Sequence, residues 1–340
     1  MFYPCIIIGA GLAGLTAAKI LREKGFHPVI LEKARGVGGR MATRRVDGNL
    51  TDHGAQYFTI THPEFQALVD EYTPLANIYP WSNTLIRDSH FTADDKLRYV
   101  SRLGMTALPK AIAKEANLEI HTQAKVTAIQ KTEGPDAHWT LTLENGQSYT
   151  TSTLLITAPV PQAIQLLSNV SELLPDIKLL QTLEYHPCLA SLITFNAPQS
   201  IPGCGGIQLS QGLISWIANN QQKMSDNQTC TWTVHGSSTF SRQYFDAPDD
   251  KILSALKPSL AEYADTGQIQ DHQVQRWRYS QPTSTHSAPY ACLSKNPNLF
   301  IAGDAFGGPK VEGAFLSGVH VAKAMRELLQ ARAATIERSV

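Results

Sequence analysis

A chain of 340 residues exceeds the roughly 250–300 that a single hydrophobic core organises, so two domains are expected. At 43% hydrophobic and 17% charged the composition excludes disorder as the main state, and 29 basic against 29 acidic residues leave no net charge to attract phosphate backbones or anionic membranes. Neither nucleic acid nor a membrane is an expected partner, and no run approaches the roughly 20 apolar residues of a spanning helix. Five scattered cysteines without a Cys-x-x-Cys pair read as reduced, mostly buried thiols in a cytoplasmic protein.

In chain order, the segment from Met1 to Ile8 is apolar, short and without a basic flank, which predicts a buried strand rather than a leader. Cys5–Ile8 is expected as a strand, Leu12–Glu23 as a helix with Leu15, Ala18 and Leu21 on one side, and His27–Glu32 as a second strand, together a βαβ unit. Glu119–Gln130, His138–Glu144 and Ser148–Ile156 are three extended runs separated by Glu133-Gly134-Pro135-Asp136 and Glu144-Asn145-Gly146-Gln147, which predicts a meander. Between about 161 and 289 the strand-like runs Leu189–Phe195, Leu213–Ile217 and Thr229–His235 mix with a helical stretch, Asp249–Asp265. A buried strand, Leu299–Ala302, and a helix over about 314–331 close the chain. A nucleotide-binding domain discontinuous in sequence is therefore expected.

Gly9-Ala10-Gly11-Leu12-Ala13-Gly14 lies between the first strand and its helix. Gly9 permits the turn, Gly11 lets backbone reach a pyrophosphate, Gly14 packs helix on sheet, and the helix N-terminus supplies positive potential. Glu32 ends the second strand 18 residues after Gly14, near the spacing of a carboxylate that binds ribose hydroxyls, and it disfavours a 2′-phosphate there. FAD and NAD both satisfy this much. Arg35-Gly36-Val37-Gly38-Gly39-Arg40, followed by Asp52-His53-Gly54-Ala55-Gln56-Tyr57, resembles the Arg-x-Gly-Gly-Arg region of amine-oxidase-like flavoproteins, where arginine lies near the cofactor phosphates. Ala302-Gly303-Asp304-Ala305 and Glu312-Gly313-Ala314-Phe315-Leu316-Ser317-Gly318 are similar to the segment in which such proteins bond ribitol through the strand-end Asp and aim a helix N-terminus at the flavin.

Three further segments resemble the renalase family: Thr157-Ala158-Pro159-Val160-Pro161-Gln162, Thr233-Val234-His235 and Gln275-Arg276-Trp277-Arg278-Tyr279-Ser280-Gln281-Pro282. The likeness runs nearly end to end. It implies an α/β flavoprotein with a glutathione-reductase-like, Rossmann-type FAD domain from 1–60, 98–160 and 290–340. A mixed sheet-and-helix substrate domain from 61–97 and 161–289 completes the p-hydroxybenzoate-hydroxylase or amine-oxidase-like architecture. The resemblance also brings Leu12, Ala13, Lys33, Arg35, Gly39, Arg40, Met41, Gly54, Ala55, Gln56, Tyr57, Val126, Thr157, Pro159, Gly303, Asp304, Gly313, Ala314 and Ser317 to the cofactor. Gln56 is expected to serve the flavin edge and His53 to make a hydroxyl contact. No cysteine adjoins Gly313–Gly318, so the FAD is expected to be non-covalent, and no residue cluster has metal-ligand spacing.

Bacterial renalases oxidise the 1,2- and 1,6-dihydro isomers of NAD(P)H with oxygen, giving NAD(P)+ and hydrogen peroxide. This implies a small flat donor held by aromatic walls, for which Tyr57, Phe58, Trp216, His235 and Trp277 are candidates, with Asn219 and Asn220 placed to bond a carboxamide. Where amine oxidases carry Gly-Tyr, this chain has Lys310-Val311-Glu312, which is expected to repel a cationic amine. An amine oxidase or desaturase, or a non-catalytic flavin-binding protein, are the alternatives, and the oligomeric state is left open.

Overall fold

The computed structural model describes residues 2–88, 90–134, 136–224 and 227–337, and Pro135 of the expected meander turn lies outside the described residues. The chain divides into two compact units, Met1–Gly39 with Pro109–Glu184 and Pro282–Val340, and Arg40–Leu108 with Tyr185–Gln281.

The first unit is built on a six-stranded sheet whose neighbours run Ala291–Lys295, Asn298–Ile301, Thr153–Ile156, Ile6–Ile8, Val29–Leu31 and Glu119–His121. All pair in parallel except the edge hairpin of the first two. Ile6–Ile8 and Thr153–Ile156 are wholly buried, as central parallel strands covered on both faces must be. Helix Leu12–Glu23 packs against helix Val311–Glu337. A second sheet of four strands, Phe2–Tyr3, Ser148–Thr151, Trp139–Leu143 and Val126–Lys131, is tied to the first by Trp139, whose Nε1 donates to the Asn298 carbonyl at 2.9 Å. Two expected runs are thus divided. Glu119–His121 joins the parallel sheet and Val126–Lys131 the meander because Gln123, at φ +55°, turns the chain between them. The run from Ser148 likewise changes sheets after Thr151.

The second unit centres on an eight-stranded sheet ordered Ile269–Pro282, Tyr185–Phe195, Thr231–Gly236, Ile214–Asn219, Gly206–Gln208, Ile78–Arg87, His90–Ser101 and Phe58–Thr59. One face, carrying Ile193, Ile217, Trp232 and Val234, packs with Phe240, Ile252 and Leu256 of helices Ser238–Tyr244 and Asp249–Leu260. Alternation places Thr231, Thr233 and His235 on the opposite face, and register puts Trp216 directly across from His235. On that face lies the hairpin Thr43–Val46 and Asn49–Asp52, held where Thr233 Oγ1 donates to the Asp52 carbonyl at 2.6 Å.

These contacts shift the expected domain limits. Residues 40–60 belong with the second unit because their hairpin bonds its sheet, and 98–108 because His90–Ser101 pairs along its length with Ile78–Arg87. Residues 161–184 and 282–289 belong with the first, the former where helix Val160–Leu167 packs on Val126–Lys131. Among the described residues no helix is long and apolar enough to cross a membrane.

Candidate active site

At the carboxyl edge of the parallel sheet, the glycine-rich turn has the shape of a nucleotide cradle. Gly9 sits at φ +106°, and a Cβ at position 14 would fall 2.1 Å from the Gly9 carbonyl oxygen, so the helix meets the strand with no room for a side chain. At Gly11, by contrast, a Cβ would meet nothing within 4 Å. Gly11 caps helix Leu12–Glu23 without any side-chain bond, so the open position coincides with free N–H groups at a positive helix end. Glu32 is buried beside it, its carboxylate accepting from Ala10 N and Ala34 N at 2.7 Å each. Both oxygens retain a second lone pair for a hydroxyl donor. Ala124 N bonds the Glu32 carbonyl, which brings the chain leading into Val126 against the same turn. Thr157 Oγ1 donates toward the Ile8 and Gly9 carbonyls, Lys33 reaches Gln162 at 3.1 Å, and Pro159 caps helix Val160–Leu167. An anionic dinucleotide fits this edge.

The last motif belongs to the same unit. Gly303, at φ +147°, ends the buried strand Asn298–Ile301, and Asp304 opens the short helix Asp304–Gly307, buried but for 8%. Ser317 is used structurally: its Oγ accepts from Gly303 N at 2.9 Å and donates to the Pro289 carbonyl at 2.7 Å. It therefore holds the turn that carries Asp304. Gly313 and Ala314 lie in the first turn of helix Val311–Glu337, whereas Lys310 is exposed on the loop before it.

In the second unit, the Asp52–Tyr57 segment is pinned from several sides. Asp52 Oδ2 meets Lys223 Nζ at 3.1 Å, both side chains being withdrawn from solvent, while Oδ1 accepts from Thr43 Oγ1 and Met105 N. Lys223 also donates to Gln56 Oε1 at 3.1 Å, and Gln56 Nε2 donates to the Asp52 and Gly54 carbonyls. The Gln56 amide is thus engaged at both ends within the protein, which differs from its expected service to the flavin edge. Burial pulls the Lys223 ammonium below the ordinary lysine pKa and the Asp52 carboxylate opposes that pull. Arg40 donates to the Ser280 carbonyl at 3.1 Å, Met41 is buried, and Ala55 N bonds the Arg40 carbonyl close to Gly54.

Aromatic side chains gather on the same face of this unit. His53 and Trp277 stack at 5.5 Å, and Trp277 Nε1 donates to the His53 carbonyl at 2.8 Å. Tyr57 packs against Trp216 at 5.5 Å and Trp81 at 6.2 Å, with the Arg98 guanidinium 5.4 Å from the Tyr57 ring centre. Burial first, then the Arg44 charge, lowers the His53 pKa to about 4 against a weaker pull from Asp52. Burial, then Lys223 and His53, lowers His235 to about 3. Both imidazoles are neutral near pH 7. Asn219 is not free for a ligand: its side chain accepts from Gln221 N and Gln222 N as the cap of helix Asn220–Lys223 and donates to the Gln199 carbonyl at 2.8 Å.

Lys223, Trp81 and Arg98 were not legible as site residues. Lys223 ends the polar run Asn219-Asn220-Gln221-Gln222, which reads as a solvated surface turn, and Trp81 follows Pro80, which reads as a strand breaker. Two bulges in Ile78–Arg87 accommodate that proline.

Comparison with known proteins agrees with this geometry. The family model for flavin containing amine oxidoreductases matches residues 81–326, and that for NAD(P)-binding Rossmann-like domains matches residues 7–72. The chain is 23% identical to mouse (Mus musculus) renalase over 95% of its own length and 99% of that protein's. Among solved structures, a putative protoporphyrinogen oxidase from Exiguobacterium has the same fold with a TM-score of 0.73 at 15% identity, covering 95% of this chain and 98% of that one. A putrescine oxidase variant follows at a TM-score of 0.67 and 12% identity, with coverage of 95% and 98%.

Proposed function

We propose that this chain, which belongs to the flavin containing amine oxidoreductase family and is an FAD-dependent oxidoreductase, takes its hydride from a neutral, flat dihydropyridine. The donor class is the 1,2- and 1,6-dihydro isomers of NAD(P)H, with oxygen as the final acceptor. One observation carries this reading: the aromatic cluster of the second unit is bordered by cations and holds no unpaired carboxylate among the described residues. Arg98 lies over Tyr57, Lys223 is buried, and the Asp52 carboxylate is already paired. The buried Lys223–Asp52 pair leaves no carboxylate available to an ammonium, which would be desolvated there without a counter-charge, whereas a neutral ring loses little on desolvation and gains aromatic contact.

When bound, FAD would supply the hydride acceptor and the route of the electrons to oxygen. The chain's own part is to bind and orient, since a dihydropyridine becomes aromatic on losing hydride and needs no base to remove a proton first. The neutral His53 and His235 fit that demand. Gly9–Gly14 and Glu32 would hold the adenosine diphosphate part of the cofactor, and Asp304 a ribitol hydroxyl.

Anaerobic mixing of the holoenzyme with each candidate donor tests the proposal. Dihydronicotinamides with hydride at C2 or C6 should bleach the flavin within seconds, and air should restore the colour with formation of peroxide. Benzylamine, catecholamines and polyamines should leave it yellow. Rapid bleaching by an amine overturns the reading in favour of amine oxidation, and no bleaching by any donor favours a flavin-binding protein without turnover.

A further inference from the structure

Four buried polar atoms in the aromatic cluster have no hydrogen-bond partner among the described residues: His53 Nδ1 on the Trp277 side and, on the other, the three atoms Trp81 Nε1, Trp216 Nε1 and His235 Nε2. A buried polar group left unpaired is costly, and native folds retain few of them. These three are also close neighbours in the fold. Trp216 and His235 face each other across adjacent strands, and the indoles of Trp81 and Trp216 lie 6.4 Å apart at 60°. Both indoles lie close to Gly206, where a Cβ would fall 2.7 Å from Trp81 Cη2 and 3.0 Å from Trp216 Cη2, so a side chain at 206 would displace them.

Two donors beside one neutral imidazole nitrogen match a particular ligand group. We infer that Trp81, Trp216 and His235 form a recognition set for a planar primary carboxamide, the indole N–H groups donating to its carbonyl oxygen and His235 Nε2 accepting from its N–H. The set takes the role that Asn219, committed to its helix cap, does not fill. It rests on the dihydropyridine reading above, because a nicotinamide ring carries such a carboxamide and simple amine substrates carry none. Trp81 and Trp216 are then specificity residues whose N–H groups, beyond their ring faces, distinguish substituents at the pyridine 3-position.

Equilibrium binding to the oxidised holoenzyme, read from perturbation of the flavin spectrum, separates these roles without turnover. Three oxidised dinucleotides serve as probes: NAD+, its 3-acetylpyridine analogue, which keeps the carbonyl and loses the amide N–H, and the analogue with an unsubstituted pyridinium ring. Trp81→Phe and Trp216→Phe keep a ring and delete the donor. Each should weaken NAD+ and the acetyl analogue roughly three- to tenfold, as expected for one net hydrogen bond, and leave the unsubstituted ligand unchanged. His235→Leu should weaken NAD+ alone. Because every variant is compared with itself across three ligands, a general loss of packing shows as an equal shift in all three. Such an equal shift, or unchanged discrimination in both tryptophan variants, overturns the recognition set while leaving the donor class intact. Failure of the wild-type holoenzyme to bind any of the three overturns the donor class and this inference with it.

Discussion

Lys223 Nζ lies 3.1 Å from Asp52 Oδ2, and neither side chain reaches solvent. The pair joins positions 171 residues apart and fixes the segment that presents His53, Gln56 and Tyr57. Such a pair is a weak source of net stability, yet breaking one half leaves a buried charge uncompensated. Lys223→Met should therefore destabilise the protein by about 3–5 kcal/mol in urea unfolding. Lys223→Met combined with Asp52→Asn should recover part of that loss. A single-variant cost below about 1 kcal/mol would show that water reaches the carboxylate.

The glycine turn predicts a contrast between neighbours. Gly11 has φ −74° and open space where a Cβ would stand, so Gly11→Val should keep the thermal stability of the apoprotein but lose FAD. Gly14→Ala forces a Cβ to 2.1 Å from the Gly9 carbonyl and should damage the fold itself. Flavin released by acid precipitation, together with melting of the apoproteins, distinguishes the two. Full flavin occupancy in Gly11→Val would place the pyrophosphate elsewhere, and flavin left in the wild-type pellet would mean a covalent link.

Trp277 presents one ring face to His53 and spends its N–H on the His53 carbonyl. Trp277→Phe should lose about 0.5–1.5 kcal/mol of stability with the hydrogen bond. Trp277→Ala should also slow anaerobic flavin reduction by a dihydropyridine about ten- to a hundredfold, the scale of one lost stacking contact, with FAD retained. Wild-type reduction in the alanine variant would confine the indole to packing.

The lowered histidines set a pH dependence. A folded-state pKa near 4 for His53 and near 3 for His235, against about 6.5 unfolded, means the unfolded chain binds more protons between those values. Stability from this source is complete above about pH 6.5 and falls as the pH drops through 4 towards 3, by up to about 1.4 kcal/mol per pH unit for each ring. Urea unfolding at pH 7.5, 6 and 5 should show the decline, and His235→Gln should flatten it. An unchanged slope in that variant would mean His235 titrates freely.

Local patterns in the chain pointed to the cofactor turn because its signals sit close together: the helix Leu12–Glu23 was expected with the bounds observed, and Glu32 follows at a fixed spacing. The substrate side was less legible. Tyr57, Trp216 and His235 were named as walls, but Trp81 and Lys223 take their roles from strand order and register, which bring Ile78–Arg87, Ile214–Asn219 and the Asp52 segment together from distant parts of the chain. Asn219 shows the converse error. A side chain with the right chemistry for a carboxamide had an unforeseen local use, because capping depends on where a helix begins.

The chain passes between its two units four times, at 39–40, 108–109, 184–185 and 281–282. During synthesis from the N-terminus, the second unit has all its residues once Gln281 has emerged. The first unit does not: strand Asn298–Ile301 and the turn bearing Asp304 come only afterwards, although Ile6–Ile8 and Gly9–Gly14 are made at the outset. A ribosome-bound chain stalled before residue 298 would thus carry the Gly9–Gly14 turn in a sheet still missing the strand that flanks Thr153–Ile156. The strand and turn that complete the first unit are therefore made long after its first apolar strands.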